Sequence, residues 1–321
     1  HGEYRMLKAH ADLAVSCDVP RENTFIMQNG EVLSMLNGKL EDTNVLIRAG
    51  IGIRLYKGVQ SVYGYTNETS EESLNALVDD LRGGFGIESK SVSISLVEET
   101  HENLHPIKEN PVEASLESKV ALMLRANDAA KAYSDKIQKV SVGLASVCQN
   151  VQISNSEGRL VHDTRIRCRM SVSSFAQDGQ NLQSGYEAPG ASKGLEFFEE
   201  RTPESIGQEA SRIALVLLEA KDCPSGKMPV IIDNGFGGVI FHEACGHALE
   251  ASSVSKNQSV FCNKLGQKVA SDKVTAIDDG TIPNAWGSQN VDDEGNPQQK
   301  RVLIENGILK SYMIDRLNGR R

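Results

Sequence analysis

The sequence predicts an α+β protein, in which an N-terminal α/β region of antiparallel strands with packed helices precedes a β-rich domain containing a short helix with two histidines. Three observations predict this class. Alternating apolar and polar residues recur through the first two thirds of the chain, three segments there have apolar residues at helical spacing, and the last part is polar, Gly-rich and strand-like. The chain has 321 residues, 39% of them hydrophobic, which is enough to bury a substantial core.

A β-meander is predicted at the start of the chain. Residues 11–17, 24–36 and 44–65 are rich in Val, Ile, Leu and Tyr with glycines at the turns, which is typical of antiparallel strands. Asn29-Gly30 and Lys57-Gly58 are signals for tight hairpin turns. We therefore expect the meander to reverse direction at these two dipeptides.

Three amphipathic helices are predicted to accompany the strands. The first begins with a capping box formed by Thr69 and Glu72 and ends at Gly83-Gly84, where the apolar spacing stops. The second spans residues 114–133, and the third begins at Thr202-Pro203, a favourable helix start. Each has one apolar stripe, so each is expected to bury one face.

The remaining pattern indicates further strands and a domain boundary. Residues 140–151 and 159–171 alternate around the turn 156–158, as in an antiparallel pair, and His162 within them is expected to be structural. Other predicted strands are residues 91–97, 228–233, 269–277 and 300–304, while residues 104–112 form a loop. We expect an N-terminal domain at 1–222, with lobes at about 1–98 and 112–222, and a β-rich domain at 223–321.

The segment 235–253, GFGGVIFHEACGHALEASS, contains the candidate site. His242, Glu243 and His247 form an HExxxH motif, in which neutral imidazoles can bind a metal such as zinc and the carboxylate can transfer protons. In a regular helix of 3.6 residues per turn, two histidines five residues apart point about 140° away from each other. One turn with i→i+5 hydrogen bonds would bring them together, and Gly246 would ease that distortion. We therefore predict a distorted helix carrying a two-histidine half-site.

A purely structural interpretation of the same segment stays open. Its apolar residues could form the buried stripe of a core helix, with the histidines satisfied by hydrogen bonds. That stripe would consist of Val239, Ile240, Ala244, His247 and Ala248. The pattern alone does not choose between the two interpretations.

Three longer blocks of sequence carry a resemblance. They are GFGGVIFHEACGHALE, VTAIDDGTIPNAWGSQNVDDEG and RVLIENGILKSYMIDRLNGRR, which together span nearly all of residues 235–321. They resemble the catalytic, TldD-type subunits of the TldD/PmbA family of zinc metallopeptidases, and residues 23–67 agree more loosely. Members of the PmbA type lack HExxxH and are regarded as non-catalytic partners. Because this chain has the motif, it resembles the active type.

The resemblance implies a zinc-dependent metallopeptidase that hydrolyses unfolded or extended peptides in its β-rich domain. His242 and His247 would bind Zn²⁺, and Glu243 would be the general base on a zinc-bound water. A catalytic zinc normally has three protein ligands. The resemblance implies that the third is a cysteine beyond Arg321, and Cys245 and Cys262 are the nearest candidates within the chain.

The resemblance also implies an assembly and an incomplete chain. Family members form dimers, so a homodimer or a heterodimer with a PmbA-type homologue is expected. Because family members continue past Arg321, this chain is expected to be a piece of a longer protein and nearly inactive by itself. Two other function classes stay open: a non-catalytic assembly subunit of a peptidase complex, and a metal-dependent amidase acting on another substrate class.

Composition narrows the partners and the compartment. A net charge of −9 argues against nucleic acid as a partner, because phosphate recognition requires clustered Lys and Arg. Six scattered cysteines suit reduced thiols better than a disulfide framework. No segment approaches the roughly 18 consecutive apolar residues of a membrane span. We therefore expect a cytoplasmic protein without a membrane partner.

Overall fold

The computed structural model describes residues 21–86 and 94–321 and has the predicted α+β architecture. A sheet of eight strands forms the N-terminal part. These strands are β1 (Arg21–Leu36), β2 (Lys39–Lys57), β3 (Gln60–Thr66), β4 (Val97–Glu99), β5 (Ile137–Asn155), β6 (Arg159–Asp178), β7 (Asn181–Glu187) and β8 (Gly190–Ala191). The order is β3-β2-β1-β5-β6-β4, and β7 and β8 also pair with β6. Within this sheet β4 and β6 are parallel, and the other pairs are antiparallel.

Two long hairpins build the centre of this sheet. In one, β1 and β2 are joined at Asn37-Gly38, and in the other, β5 and β6 are joined at the predicted turn 156–158. The hairpins are then paired through β1 and β5, in a register that runs from Glu22 opposite Asn155 to Leu36 opposite Ser141. The sheet therefore depends on contacts between segments more than 100 residues apart.

In the described part of the chain, four helices accompany the sheet: α1 (Glu71–Gly83), α2 (Leu116–Lys131), α3 (Phe197–Glu200) and α4 (Pro203–Glu219). Leu74 and Val78 of α1 pack on Phe25, Ile51 and other apolar residues near the β1–β3 end. Helices α2 and α4 cover the larger core, which contains the fully buried Met123, Met170 and Ile206. Each of the three long helices thus buries one apolar face, as predicted.

Helices α2 and α4 cross at very short distance. Gly207 of α4 lies so close to α2 that a Cβ atom there would stand 2.1 Å from the carbonyl oxygen of Ala126. Two turns earlier on α2, the ammonium of Lys119, only 2% exposed, pairs with the carboxylate of Glu31 on β1. The absence of a side chain at Gly207 thus lets α2 approach α4 closely, and the buried ion pair joins α2 to β1 of the sheet.

Residues 235–321 contain short helical turns and a second sheet. Its strands, in the order β11-β10-β9, are β9 (Ala276–Asp279), β10 (Lys300–Glu305) and β11 (Ile308–Leu309). The loop before β10 packs against the first sheet: the Asn290 amide donates to Asp163 Oδ1 over 2.8 Å, and Trp286 lies 5.7 Å from the guanidinium carbons of Arg167 and Arg169. Polar contacts and one aromatic ring thus join the two sheets.

The Asn29-Gly30 hairpin predicted from the sequence is wrong. Asn29 and Gly30 lie inside β1, where Asn29 pairs with Ile47 of β2 on one side and with Cys148 of β5 on the other. The turn falls instead at Asn37-Gly38, where φ is +46° and +77°, as a two-residue hairpin turn requires. The second predicted hairpin is present with its turn one residue later than predicted: Lys57 pairs with Gln60, and Gly58, with φ +60°, and Val59 form the turn.

Several other boundaries differ from the prediction. Ser70, not Thr69, caps α1 by accepting the N–H of Ser73. Residues 228–233 form no strand, because no described segment runs beside them, and Val230 and Ile231 are exposed. Of the strand predicted at 269–277, only the end falls in β9, because residues 269–275 have turns and loop contacts. The strand predicted at 11–17 and residues 91–93 lie outside the described residues.

Candidate metal centre

The HExxxH segment is a series of short, different helical turns. A 3₁₀ turn (Gly235–Gly238) leads into a single α turn (Val239–Phe241), a π turn (His242–Gly246) and another 3₁₀ turn (His247–Leu249). Gly235 begins the series with φ +77°, which favours glycine. The N–H of His247 donates to the carbonyl of His242, five residues earlier. The widened turn predicted from the histidine spacing is therefore present.

The π turn brings both imidazoles to one side of the segment. The ring centroids of His242 and His247 are 4.5 Å apart, and the rings are inclined by 69°. Candidate ligand atoms of His242, Glu243 and His247 all lie within 4.8 Å of one another, and all three residues are exposed. The alternative of a core helix with buried histidines is not what the structure shows, since Val239 and Ile240 are exposed as well.

Gly246 does not have the role expected of it. Its φ of −55° and ψ of −59° are ordinary helical angles, so the π turn does not need glycine for its backbone. A Cβ atom at this position would lie 3.5 Å from Nδ1 of His242. The glycine therefore leaves the space beside the His242 ring free of a side chain.

One residue of the site was missed by the sequence reasoning. Oε1 of Glu250 lies 2.8 Å from Nδ1 of His247, on the edge of the ring opposite Nε2. Nε2 lies 3.9 Å from Oε2 of Glu243. The available signal was the spacing of three residues between His247 and Glu250, which brings side chains together on helical turns.

The site rests on a small apolar core. Leu249, directly after the 3₁₀ turn, is fully buried with Leu303, Ile304 and Leu309 of the second sheet. Hydrogen bonds between the backbones of Leu249 and Met313, and of Ala251 and Met313, join the end of the motif to the chain after β11. This small core thus holds the motif in place while its histidines face solvent.

Neither cysteine near the motif belongs to the cluster. Cys245 is half-buried and packs against the core beneath the motif, and Cys262 donates its thiol to the carbonyl of Val254. In the part of the chain that the structure describes, the cluster of His242, Glu243 and His247 contains no sulfur ligand. Two imidazole nitrogens and a carboxylate around one point form a donor set that fits a divalent metal of the zinc type.

Comparison with known proteins identifies the family. Residues 26–83, 109–218 and 225–321 match domain 1, the central domain and the C-terminal domain of the PmbA/TldA metallopeptidases. The chain belongs to the PmbA/TldD metallopeptidase family. Within the described residues of this family member, no helix combines the length and the apolar character needed to cross a membrane.

Relatives with curated names agree with this assignment. The chain is 35% identical over 296 residues to the metalloprotease TldD homolog of Buchnera aphidicola, an alignment that covers 88% of this chain and 60% of that protein. It is 36% identical over 293 residues to the metalloprotease MJ0996 of Methanocaldococcus jannaschii, and this alignment covers 88% of this chain and 63% of that protein. The chain thus spans less than two thirds of these relatives, whose names imply a metal in this PmbA/TldD family.

Solved structures share the fold of this PmbA/TldD family chain. The Thermotoga maritima protein TM0727 superposes with a TM-score of 0.78 at 22% identity, over 99% of this chain and 71% of that one. TldE from Thermococcus kodakarensis superposes with a TM-score of 0.71 at 18% identity, over 100% and 71%. At such identities the likeness concerns the fold alone.

Proposed function

We propose that this chain is the catalytic part of a zinc-dependent peptidase that hydrolyses unfolded or extended peptides. The observation that carries the proposal is the convergence of His242, Glu243 and His247 within 4.8 Å on an exposed π turn. A bound Zn²⁺ would polarise the scissile carbonyl and lower the pKa of water at the site. The metalloprotease names of the relatives support this chemistry.

His242 and His247 are the proposed ligands, and Glu243 is the proposed general base. The Glu243 side chain is 66% exposed, so water and a peptide can both reach its carboxylate. It would accept a proton from the attacking water and return it to the leaving amine. Two histidines leave one protein ligand to be supplied. As the third ligand we propose the cysteine that the family resemblance implies beyond Arg321; in the described residues, Cys245 and Cys262 lie outside the cluster.

The proposed substrate is extended because backbone pairing is tolerant of side-chain sequence. In the described part of the chain, β9 is an edge strand of the sheet beneath the motif, so its outer backbone groups are open to a further strand. Assembly as a homodimer or with a PmbA-type homologue, and a cytoplasmic location, belong to the same proposal.

The test is Glu243→Gln in the intact protein, with Glu305→Gln as control. Glu305 is a half-exposed carboxylate that pairs with Lys310, outside the site. We expect Glu243→Gln to reduce hydrolysis of an unfolded peptide library by about 10²- to 10⁴-fold, with zinc content unchanged. Loss of zinc would make Glu243 a ligand instead of a base. A zinc-loaded wild type that leaves peptides intact would favour the amidase, and one that takes up no zinc would favour the assembly subunit.

A further inference from the structure

The carboxylates of Glu250 and Glu243 lie near different nitrogens of the His247 ring. Oε1 of Glu250 lies 2.8 Å from Nδ1, whereas Nε2 of the same ring lies 3.9 Å from Oε2 of Glu243. An ionised carboxylate can only accept hydrogen bonds. Nδ1 must therefore carry the hydrogen, and in the neutral ring the lone pair of Nε2 points toward the cluster.

Glu250 is itself held from several directions. Its second oxygen, Oε2, accepts the hydroxyl of Ser252 over 3.2 Å. Its two neighbours, Leu249 and Ala251, are buried and exchange backbone hydrogen bonds with Met313 over 3.0 and 2.8 Å. A carboxylate fixed in this way loses little side-chain entropy when it binds the ring. Its position is set by the core beneath the motif.

We propose that Glu250 is a positioning residue that holds His247 as the Nδ1–H tautomer and leaves Nε2 as the metal-binding atom. Carboxylates that accept the second N–H of a ligating histidine fix its tautomer and orientation and raise its basicity. This inference rests on the proposed metal site. It concerns which nitrogen of the His247 ring carries the hydrogen, and this can be measured without a hydrolysis assay.

The first measurement is zinc affinity of the intact protein, by competition with a chromophoric chelator. Removing such a carboxylate costs about 10- to 100-fold in metal affinity. We expect that loss in Glu250→Ala and a smaller one in Glu250→Gln, because the amide oxygen can still accept from Nδ1–H. Glu305→Gln, at a carboxylate that pairs with Lys310 outside the site, serves as the control. If Glu250→Ala binds zinc as tightly as wild type, the inference is wrong.

The second measurement is the tautomer of His247, from two-bond ¹H–¹⁵N correlations of the ring in metal-free protein. Wild type should show Nδ1–H, and Glu250→Ala should shift toward Nε2–H, the form preferred by a free imidazole side chain. A purely structural role would leave this signature unchanged. The Gln variant keeps the test usable if the Ala variant unfolds.

Three further outcomes separate a ligand role of Glu250, failure of the proposed function and failure of this inference. If Glu250→Gln abolishes zinc binding as completely as loss of a histidine, Glu250 is a ligand and the positioning role is overturned. If Glu250→Ala weakens zinc and shifts the tautomer while no peptide is cut by wild type, the proposed function fails and this inference stands. If peptides are cut but neither quantity changes in the variant, this inference fails alone.

Discussion

Nδ1 of His105 accepts a hydrogen bond of 2.9 Å from the backbone N–H of Asn284, 179 residues later in the chain. His105 is 8% exposed, and Asn284 also donates its amide to the carbonyl of Ser192 over 2.7 Å. Because Nδ1 is the acceptor, this contact needs a neutral ring. The histidine thus joins the loop before β10 to the loop that follows β4, in a way that depends on pH.

Acid is therefore expected to weaken the fold through His105. Burial lowers the pKa of its imidazole below the ordinary value. The unfolded chain then takes up a proton at a higher pH than the folded one, so stability falls as pH drops below about 6.5, by up to about 1.4 kcal/mol per unit for one proton. His105→Gln, which keeps an acceptor, should flatten this dependence in urea unfolding between pH 7 and 5. Equal slopes in both proteins would contradict the prediction.

Both histidines of the motif are expected to be necessary for metal binding. Their rings are 4.5 Å apart on one side of the π turn, so either substitution leaves one imidazole. His242→Ala and His247→Ala should each reduce zinc content of the intact protein to near background and abolish hydrolysis, while circular dichroism stays unchanged. His162→Ala on β6, outside the cluster, is the matched control. Retention of zinc by one of the two variants would disprove the two-histidine half-site.

Gly207→Ala should destabilise the protein although alanine favours helices. The added Cβ would stand 2.1 Å from the carbonyl oxygen of Ala126, so α2 and α4 must separate, at about 1–3 kcal/mol or more. Gly83→Ala is the control, because a Cβ there meets nothing within 4 Å, and we expect no loss and a gain of at most about 1 kcal/mol. The thermal unfolding midpoint should therefore fall in Gly207→Ala and stay level or rise in Gly83→Ala. Similar shifts in the two variants would refute the close contact.

Removing one charge of the Lys119–Glu31 ion pair should destabilise the protein more than replacing both residues by apolar ones. Lys119 is 2% exposed, so Glu31→Gln leaves a buried ammonium without its counter-charge, at about 3–5 kcal/mol. Replacing both residues with Met and Leu should recover most of that loss, because no charge is then buried. Urea unfolding of Lys119→Met, Glu31→Leu and the double variant completes the cycle. If the two losses simply add, the ion pair does not couple α2 to β1.

The sequence predicts this fold well where local signals and long-range pairing agree. Thr202 caps α4 by accepting the N–H of Ser205, as the Thr-Pro start predicts, and the turn before Arg159 joins β5 to β6. Asn29-Gly30 and Asn37-Gly38 carry the same dipeptide, and only the second becomes a turn. The difference is pairing with β5, which lies more than 100 residues away and leaves no trace in the dipeptide itself.

The candidate site, too, could be predicted from the sequence only in part. A spacing of five residues predicts the π turn, because only that geometry brings His242 and His247 together. The spacing of three residues from His247 was the one signal for Glu250, and the contacts that order its neighbours Leu249 and Ala251 come from Met313, more than 60 residues later. Gly246 was assigned to backbone strain, but its φ of −55° is an ordinary helical angle that other residues adopt as well.

The pairing of β1 with β5 has a consequence for synthesis on the ribosome. The β1–β2 hairpin can close early, but the inner edge of β1 waits for residues 141–155 to emerge. At about 5–20 residues per second, that wait is on the order of 10 s. During this time Phe25, Leu33 and Met35, all buried in the finished protein, share one strand with an unsatisfied row of backbone groups. A nascent chain of this length should therefore be a preferred client of ribosome-associated chaperones, and ribosome profiling of chaperone-bound nascent chains should show release soon after β5 is complete.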